Sequence, residues 1–237
     1  MAPELAVRYL GGKSKIRKQV ADVLEMLRLP GQTYFEPFCG GAWVLQEMTG
    51  PRIASDGNAA LVTMYRALQA RWMPPARVSE DEYRAIYARN DPSDPITAFS
   101  NFGGSFGGKW GAGYARGEGR NYASNARNSL LKQLPKIQDV EFRYGVFTDH
   151  APDGMLVYCD PPYQGATTYG GCPPFDHALF WDVMRFWSLS STVVVSEYSA
   201  PDDFVCIAEF PSKMGLRVGK DGEQPSRTER LFMWDES

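Results

Sequence analysis

The chain has 237 residues, enough for one large domain or for a core carrying an insertion, and 43% of it is hydrophobic. No apolar run approaches the roughly 18 residues of a membrane span, and the opening MAPELAVRYLGGKSK lacks the apolar segment of a secretion signal, so the expected location is cytoplasmic. The cysteines, Cys39, Cys159, Cys172 and Cys206, never form a C-x-x-C pair, and His150 and His177 are the only histidines. A disulfide scaffold and a metal site are both disfavoured.

The formal net charge of −3 conceals a segregation along the sequence. Residues 101–132 hold five bases (Lys109, Arg116, Arg120, Arg127, Lys132) against Glu118, whereas residues 150–211 hold eight acids against Arg185. Local sign governs partner choice more than the total does.

In chain order, SKIRKQVADVLEMLRL (14–29) places Ile16, Val20, Val23, Leu24 and Leu27 at helical spacing behind Ser14, a candidate N-cap. TYFEPF reads as a buried strand from Thr33, followed by a turn at Gly40-Gly41 and a helix through AWVLQEM. RIASD is a second strand ending at Asp56, and a helix runs from about Asn58 to Arg71. This alternation makes the chain α/β. Ser79 and Glu82 then form a capping box for a short helix to about Arg89. The glycine-rich SNFGGSFGGKWGAGYARGEGRNYASNARNS that follows reads as a loop from which no core is built. From about Val140 the rhythm resumes: MLVYCD is a strand, Asp176 to Leu189 a helix, and STVVVSEY, FVCIAEF and RLFMW are strands. The expected division is a core of 1–61 and 149–237 interrupted by an insertion at 62–148, where partner choice should reside.

Glycine after a buried strand lets the backbone turn tightly beside a ligand, and an acid at the end of the next strand accepts hydrogen bonds from ribose hydroxyls. Gly40, Gly41 and Asp56 therefore describe a nucleoside site. The G-x-G-x-x-G of a dinucleotide fingerprint is absent, which places NAD well behind. GGKS (11–14) resembles the tail of a phosphate loop, but Val7 stands where its first glycine is needed; Lys13 remains a candidate positive group near a ligand.

LVYCDPPY carries a strand into an aspartate, two prolines and a tyrosine at the same rim of the sheet as Gly40 and Asp56. Such a tip suits reaction at an aromatic amino group. The lone pair of that nitrogen is delocalised into the ring until its hydrogens are held by acceptors. Asp160 supplies one acceptor and the Pro161 carbonyl another, stiffened by Pro162. Tyr163 is placed to stack on the base. This chemistry asks for an ionised Asp160 whose pKa is not raised.

Together RYLGGK, FEPFCGGA, ASDGN, VYCDPPY and VVVSEY, in that order, resemble the Dam-type DNA adenine methyltransferases. The resemblance implies a Rossmann-like methyltransferase sheet with helices on both faces, S-adenosylmethionine as cofactor, and a bacterial cell or phage-infected host. Tyr9, Lys13, Phe38, Gly40, Gly41, Asp56 and Asp160 are then the cofactor-contacting positions, and Asp160, Pro161, Pro162 and Tyr163 hold a flipped base. The insertion matches the target-recognition region, and FGGSFGGKWGAGYAR is similar to phage-encoded members. Two positions depart from the pattern: Ala42 replaces a glycine, and Tyr9 stands where many relatives carry tryptophan.

The expected partner is double-stranded DNA, with no metal, membrane or obligatory protein partner. In the insertion Phe102, Phe106, Trp110, Tyr114 and Tyr122 interleave with Lys109, Arg116, Arg120 and Arg127, mixing phosphate attraction with rings able to stack or wedge. Lys109, Trp110, Tyr114, Arg116, Arg120 and Arg127 are the DNA-binding candidates. The rival readings are transfer to cytosine, RNA or glutamine, and a non-catalytic DNA-binding relative.

Overall fold

The computed structural model describes residues 13–163, 175–213 and 226–236; Tyr9 and Cys172 lie outside them. A seven-stranded sheet has the order β3-β2-β1-β4-β5-β7-β6. Its strands are β1 (Tyr34–Glu36), β2 (Arg52–Asp56), β3 (Glu141–Tyr144), β4 (Leu156–Cys159), β5 (Thr192–Glu197), β6 (Phe204–Lys213) and β7 (Ser226–Trp234). The first five pair in parallel, β7 runs antiparallel to β5, and β6 returns along β7. The sheet order reverses between β1 and β4, the switch point where ligands sit in a Rossmann-like sheet.

Both faces of the sheet are covered, and the strands record this in their alternation. Tyr34, Leu156, Tyr158 and Val194 point into one core with α1 (Arg17–Leu27) and α2 (Ala59–Gln69). Phe35, Val157, Cys159, Val193 and Val195 point into another, with Phe180, Met184 and Trp187 of α6 (His177–Ser188). Continuous burial of LVYC in β4 is the signature of a strand enclosed on both sides.

Two local expectations change. Ser14 does not cap the first helix: α1 begins after Ile16 without a side-chain cap, and the Ser14 carbonyl accepts from Arg17 instead. The segment AWVLQEM forms only a 3-10 turn at Leu45–Glu47. Ala42 enters it at φ 53, a left-handed conformation, and Pro51 soon starts the approach to β2, leaving too few residues for a helix.

The interposed segment contributes α3 (Glu80–Arg89), α4 (Pro95–Ala98) and α5 (Tyr122–Ile137). The Ser79–Glu82 capping box is present in both directions. The glycine-rich stretch is not coreless, contrary to the sequence expectation. Ser100, Asn101, Phe102, Ser105, Ala115, Ala123 and Ala126 are buried, and Phe102 shares the core of α2. A Cβ on Gly103 would lie 2.6 Å from that of Ala126, and one on Gly104 2.8 Å from the Ser100 carbonyl oxygen. Glycine here permits close packing rather than a floppy loop. The helix α2 spans the expected boundary at residue 62, and β3, inside the expected insertion, pairs with β2 in the sheet.

Candidate active site at the carboxyl rim of the sheet

The turn after β1 is held from three sides. Gly40, at φ 42, donates its N–H to Asp56 Oδ2 at 3.0 Å, and its carbonyl accepts from the Tyr65 hydroxyl at 2.9 Å. Gln133 of α5 donates to the carbonyls of Gly41 and Ala42, both at 3.0 Å. Tyr65 and Gln133 escaped the sequence reading because nothing in their local sequence marks them; their role comes from where α2 and α5 pack. Asp56 Oδ1 takes the Asn58 N–H at 2.9 Å. Burial pushes the Asp56 carboxyl up to about 6 against the pull of those two N–H groups. Phe38 is half-buried among the rings of Phe147, Phe175 and Phe180.

At the end of β4, Asp160 meets Lys13. The ammonium lies 2.6 Å from Asp160 Oδ1 and 2.6 Å from the Tyr163 hydroxyl. That hydroxyl donates to Glu229 Oε2 at 2.6 Å and lies 2.9 Å from Ser196 Oγ, while its ring stands edge-on to Tyr198 at 4.6 Å. Lys13 thus belongs to the Asp160–Tyr163 cluster. Tyr163 is not a ring hanging free: its hydroxyl is anchored into the sheet, which fixes the plane of the ring. Glu229, on β7, was invisible to the motif reading because an acid in an amphipathic strand looks like solvent-facing polarity.

Burial alone would lower the Lys13 pKa, but the facing carboxylates of Asp160 and Glu229 reverse that and hold it above the ordinary lysine value. Burial pushes the Asp160 carboxyl up, and Lys13 opposes without cancelling it. This corrects the expectation of an unraised Asp160: where the carboxyl is largely removed from water, desolvation outweighs one ion pair. Burial, followed by the negative charges of Asp160 and Glu229, raises the Tyr163 phenol well above its usual value, so it stays neutral.

Glu36, 3% exposed at the tip of β1, accepts from the Tyr34 hydroxyl at 2.7 Å, and burial raises its carboxyl from 4.5 to about 8. The folded state therefore keeps a proton that the unfolded chain releases over that interval, and stability falls as pH rises through it. Glu36→Gln is expected to match the wild type at about pH 5 and to exceed it by roughly 3 kcal/mol at about pH 9. Urea denaturation at the two pH values measures this, and a constant difference between the proteins would remove Glu36 as the source.

The DNA-binding candidates divide. Trp110 packs edge-on against Phe102 at 5.1 Å, and the Tyr114 hydroxyl donates to the Val78 carbonyl at 2.8 Å, so both are built into the packing of the segment between α2 and α5. Arg116 pairs with Glu80. Arg120 is exposed and lines a cleft of about 530 Å³ with Arg77 and Tyr122; Lys109 and Arg127 are half-buried. The most exposed aromatic among the described residues is Phe106, 71% accessible, in a loop closed by the bridge between Ser105 and Tyr114.

Among the described residues no helix is long and apolar enough to cross a membrane, and no group of three His, Cys, Asp or Glu side chains is arranged to hold a metal. Among solved structures the chain is similar to a candidate RNA methyltransferase of Pyrococcus horikoshii (10% identity, TM-score 0.42, covering 92% of this chain and 81% of that one). It is also similar to a candidate methyltransferase of Escherichia coli (9%, 0.38, 94% and 86%) and to a precorrin 8w decarboxylase of Methanobacterium thermoautotrophicum (11%, 0.40, 92% and 90%). No curated protein sequence matches the chain. Residues 9–92, which contain Lys13, the Gly40 turn and Asp56, match the family model of the D12 class N6 adenine-specific DNA methyltransferases, and the resemblance read from the motifs is to that group.

Proposed function

We propose that the protein transfers a methyl group from S-adenosylmethionine to the 6-amino group of adenine in duplex DNA, with the target base rotated out of the stack. The observation that carries this reading is the meeting of Asp160, from the D-P-P-Y turn, with Lys13, from the matched segment, at the switch point beside the Gly40 turn.

The donor set fits the cofactor. Asp56 ends β2 next to a backbone turn that leaves no side chain at Gly40 and Gly41, as a nucleoside with an amino-acid tail requires. Asp56 would hold the ribose, Phe38 would contact the cofactor beside the turn, and the glycines would admit the methionine end. When bound, S-adenosylmethionine supplies an electrophilic methyl on a cationic sulfur.

The protein's own task is to make the amine nucleophilic. The Asp160 carboxylate accepts one amine hydrogen and the Pro161 carbonyl, fixed between two proline rings, accepts the other. With both engaged, the nitrogen pyramidalises and its lone pair leaves the ring. The negative charge on Asp160 offsets the positive charge that develops on nitrogen. Lys13 holds Asp160 in place, and the anchored ring of Tyr163 flanks the base.

DNA methylated by the purified protein, digested and resolved into nucleosides, is expected to contain N6-methyladenine. Methylated cytosine, or label in RNA or a glutamine peptide instead, would replace the acceptor; no label in any of them would favour a non-catalytic DNA-binding protein. In the insertion, Arg120, Lys109 and Arg127 would attract the backbone, and Phe106, the most exposed ring among the described residues, would fill the space of a displaced base. Phe106→Ala is expected to weaken duplex binding about ten-fold, since stacking one base contributes about 1–3 kcal/mol. Fluorescence anisotropy with a labelled duplex reads this, and an unchanged Kd would exclude the ring from the interface.

A further inference from the structure

We propose that Glu229 sets the ligand preference of this site: by adding a second carboxylate around a single ammonium, it makes the pocket select a sulfonium over the neutral thioether left after methyl transfer. The inference rests on the S-adenosylmethionine reading above. Glu229 lies where such a choice is made. β7 runs antiparallel to β5 with Arg230 opposite Glu197, the last residue of β5, so Glu229 falls one position beyond the carboxyl end of that strand. That is the rim on which Asp160 ends β4.

Glu229 is tied into the cluster by its contacts. Its side chain is 14% exposed, Oε2 accepts from the Tyr163 hydroxyl at 2.6 Å, and the same oxygen lies 3.5 Å from the Lys13 ammonium. Lys13 itself is 4% exposed and has Asp160 at 2.6 Å. Glu36 is mostly uncharged near neutral pH, because burial raises its carboxyl to about 8. Among the described residues, therefore, one ammonium faces two carboxylates. Asp160 alone would be neutralised by Lys13; the second carboxylate leaves negative charge in excess.

A partly enclosed unit charge acts over several ångströms, so the excess favours a cationic ligand roughly ten-fold or more over a neutral one of the same shape. Such a bias has a use. The methyl donor is a cation and the spent cofactor is not, so the pocket binds the former and releases the latter. The Tyr163 hydroxyl, which bridges Glu229 to Lys13, keeps the second carboxylate close to the first.

Titration calorimetry at about pH 7.5 and low salt tests this with S-adenosylmethionine, the amine-bearing analogue sinefungin, and S-adenosylhomocysteine. The wild type is expected to bind the two cations about ten-fold tighter than S-adenosylhomocysteine. Glu229→Gln keeps an acceptor for Tyr163 and removes only the charge; it is expected to erase most of that preference, while Glu229→Asp preserves it. An equal loss for all three ligands in Glu229→Gln would show that Glu229 merely supports the fold, and an unchanged ratio would show that its charge is not sensed. Both results overturn the proposal. Should the Gln variant fail to fold, the wild-type ratio decides alone, since absence of a preference for cations sinks the idea. A wild type that binds none of the three ligands would instead overturn the cofactor reading on which the inference rests.

Discussion

Replacing Asp160 with alanine is expected to abolish incorporation of labelled methyl groups into duplex DNA, a loss of about 10³-fold or more, while leaving DNA binding largely in place. The reasoning separates the two activities by location. Asp160 is recessed at the tip of β4, its side chain 20% exposed and tied to Lys13, whereas Phe106 and Arg120 are exposed between α4 and α5. In the proposed mechanism the carboxylate polarises an amine that has already been delivered; it does not deliver it. Because burial raises the Asp160 carboxyl, methyl transfer by the wild type should also begin to fail on the acid side at a higher pH than an ordinary aspartate would dictate. Wild-type incorporation by Asp160→Ala would remove this residue from the chemistry, and loss of DNA binding in step with activity would mean that it supports the fold.

The second large effect is expected from Lys13→Met. Its ammonium is nearly sealed from water and has Asp160 at 2.6 Å and Glu229 at 3.5 Å. Removing the charge leaves two poorly solvated carboxylates without their cation, which should cost about 3 kcal/mol of stability at neutral pH. The sign with pH follows from the acids left behind. Without the lysine, the Asp160 carboxyl, already raised by burial, gains a proton more readily in the folded state than in the unfolded chain, so the deficit should shrink as the pH is lowered. Denaturant titrations of wild type and variant at about pH 5 and pH 8 would show this. A deficit independent of pH would mean that packing, rather than charge, holds Lys13 in place. Transfer activity should fall as well, because Asp160 loses both its tether and the group that keeps it ionised.

The contrast between Lys13 and Tyr163 shows how far the motifs reach. D-P-P-Y announced a strand tip with an acid, two rigid residues and a ring, and the structure has all of them at the end of β4. The motif did not announce that the tyrosine hydroxyl would be claimed by Lys13, Ser196 and Glu229. Those partners come from residues 13, 196 and 229, and no local pattern joins them. The glycine-rich segment failed in the opposite direction. Composition suggested an unstructured loop, but a run of small residues is equally what close helix packing requires, and only the position of α5 against Gly103 distinguishes the two.

Local chemistry in the sequence was sufficient for the α/β alternation, the capping box at Ser79, the strand ending in Asp160 and the acid ending β2, because each depends on short-range periodicity or on backbone geometry fixed by proline and glycine. The partners of the Asp160 carboxylate, its raised pKa, the support of the Gly40 turn by Tyr65 and Gln133, and the presence of Glu229 depended on the sheet order, which brings the carboxyl ends of β1, β4 and β5 and the first half of antiparallel β7 to one rim. Desolvation and charge pairing act through space, and separation along the chain carries no record of them.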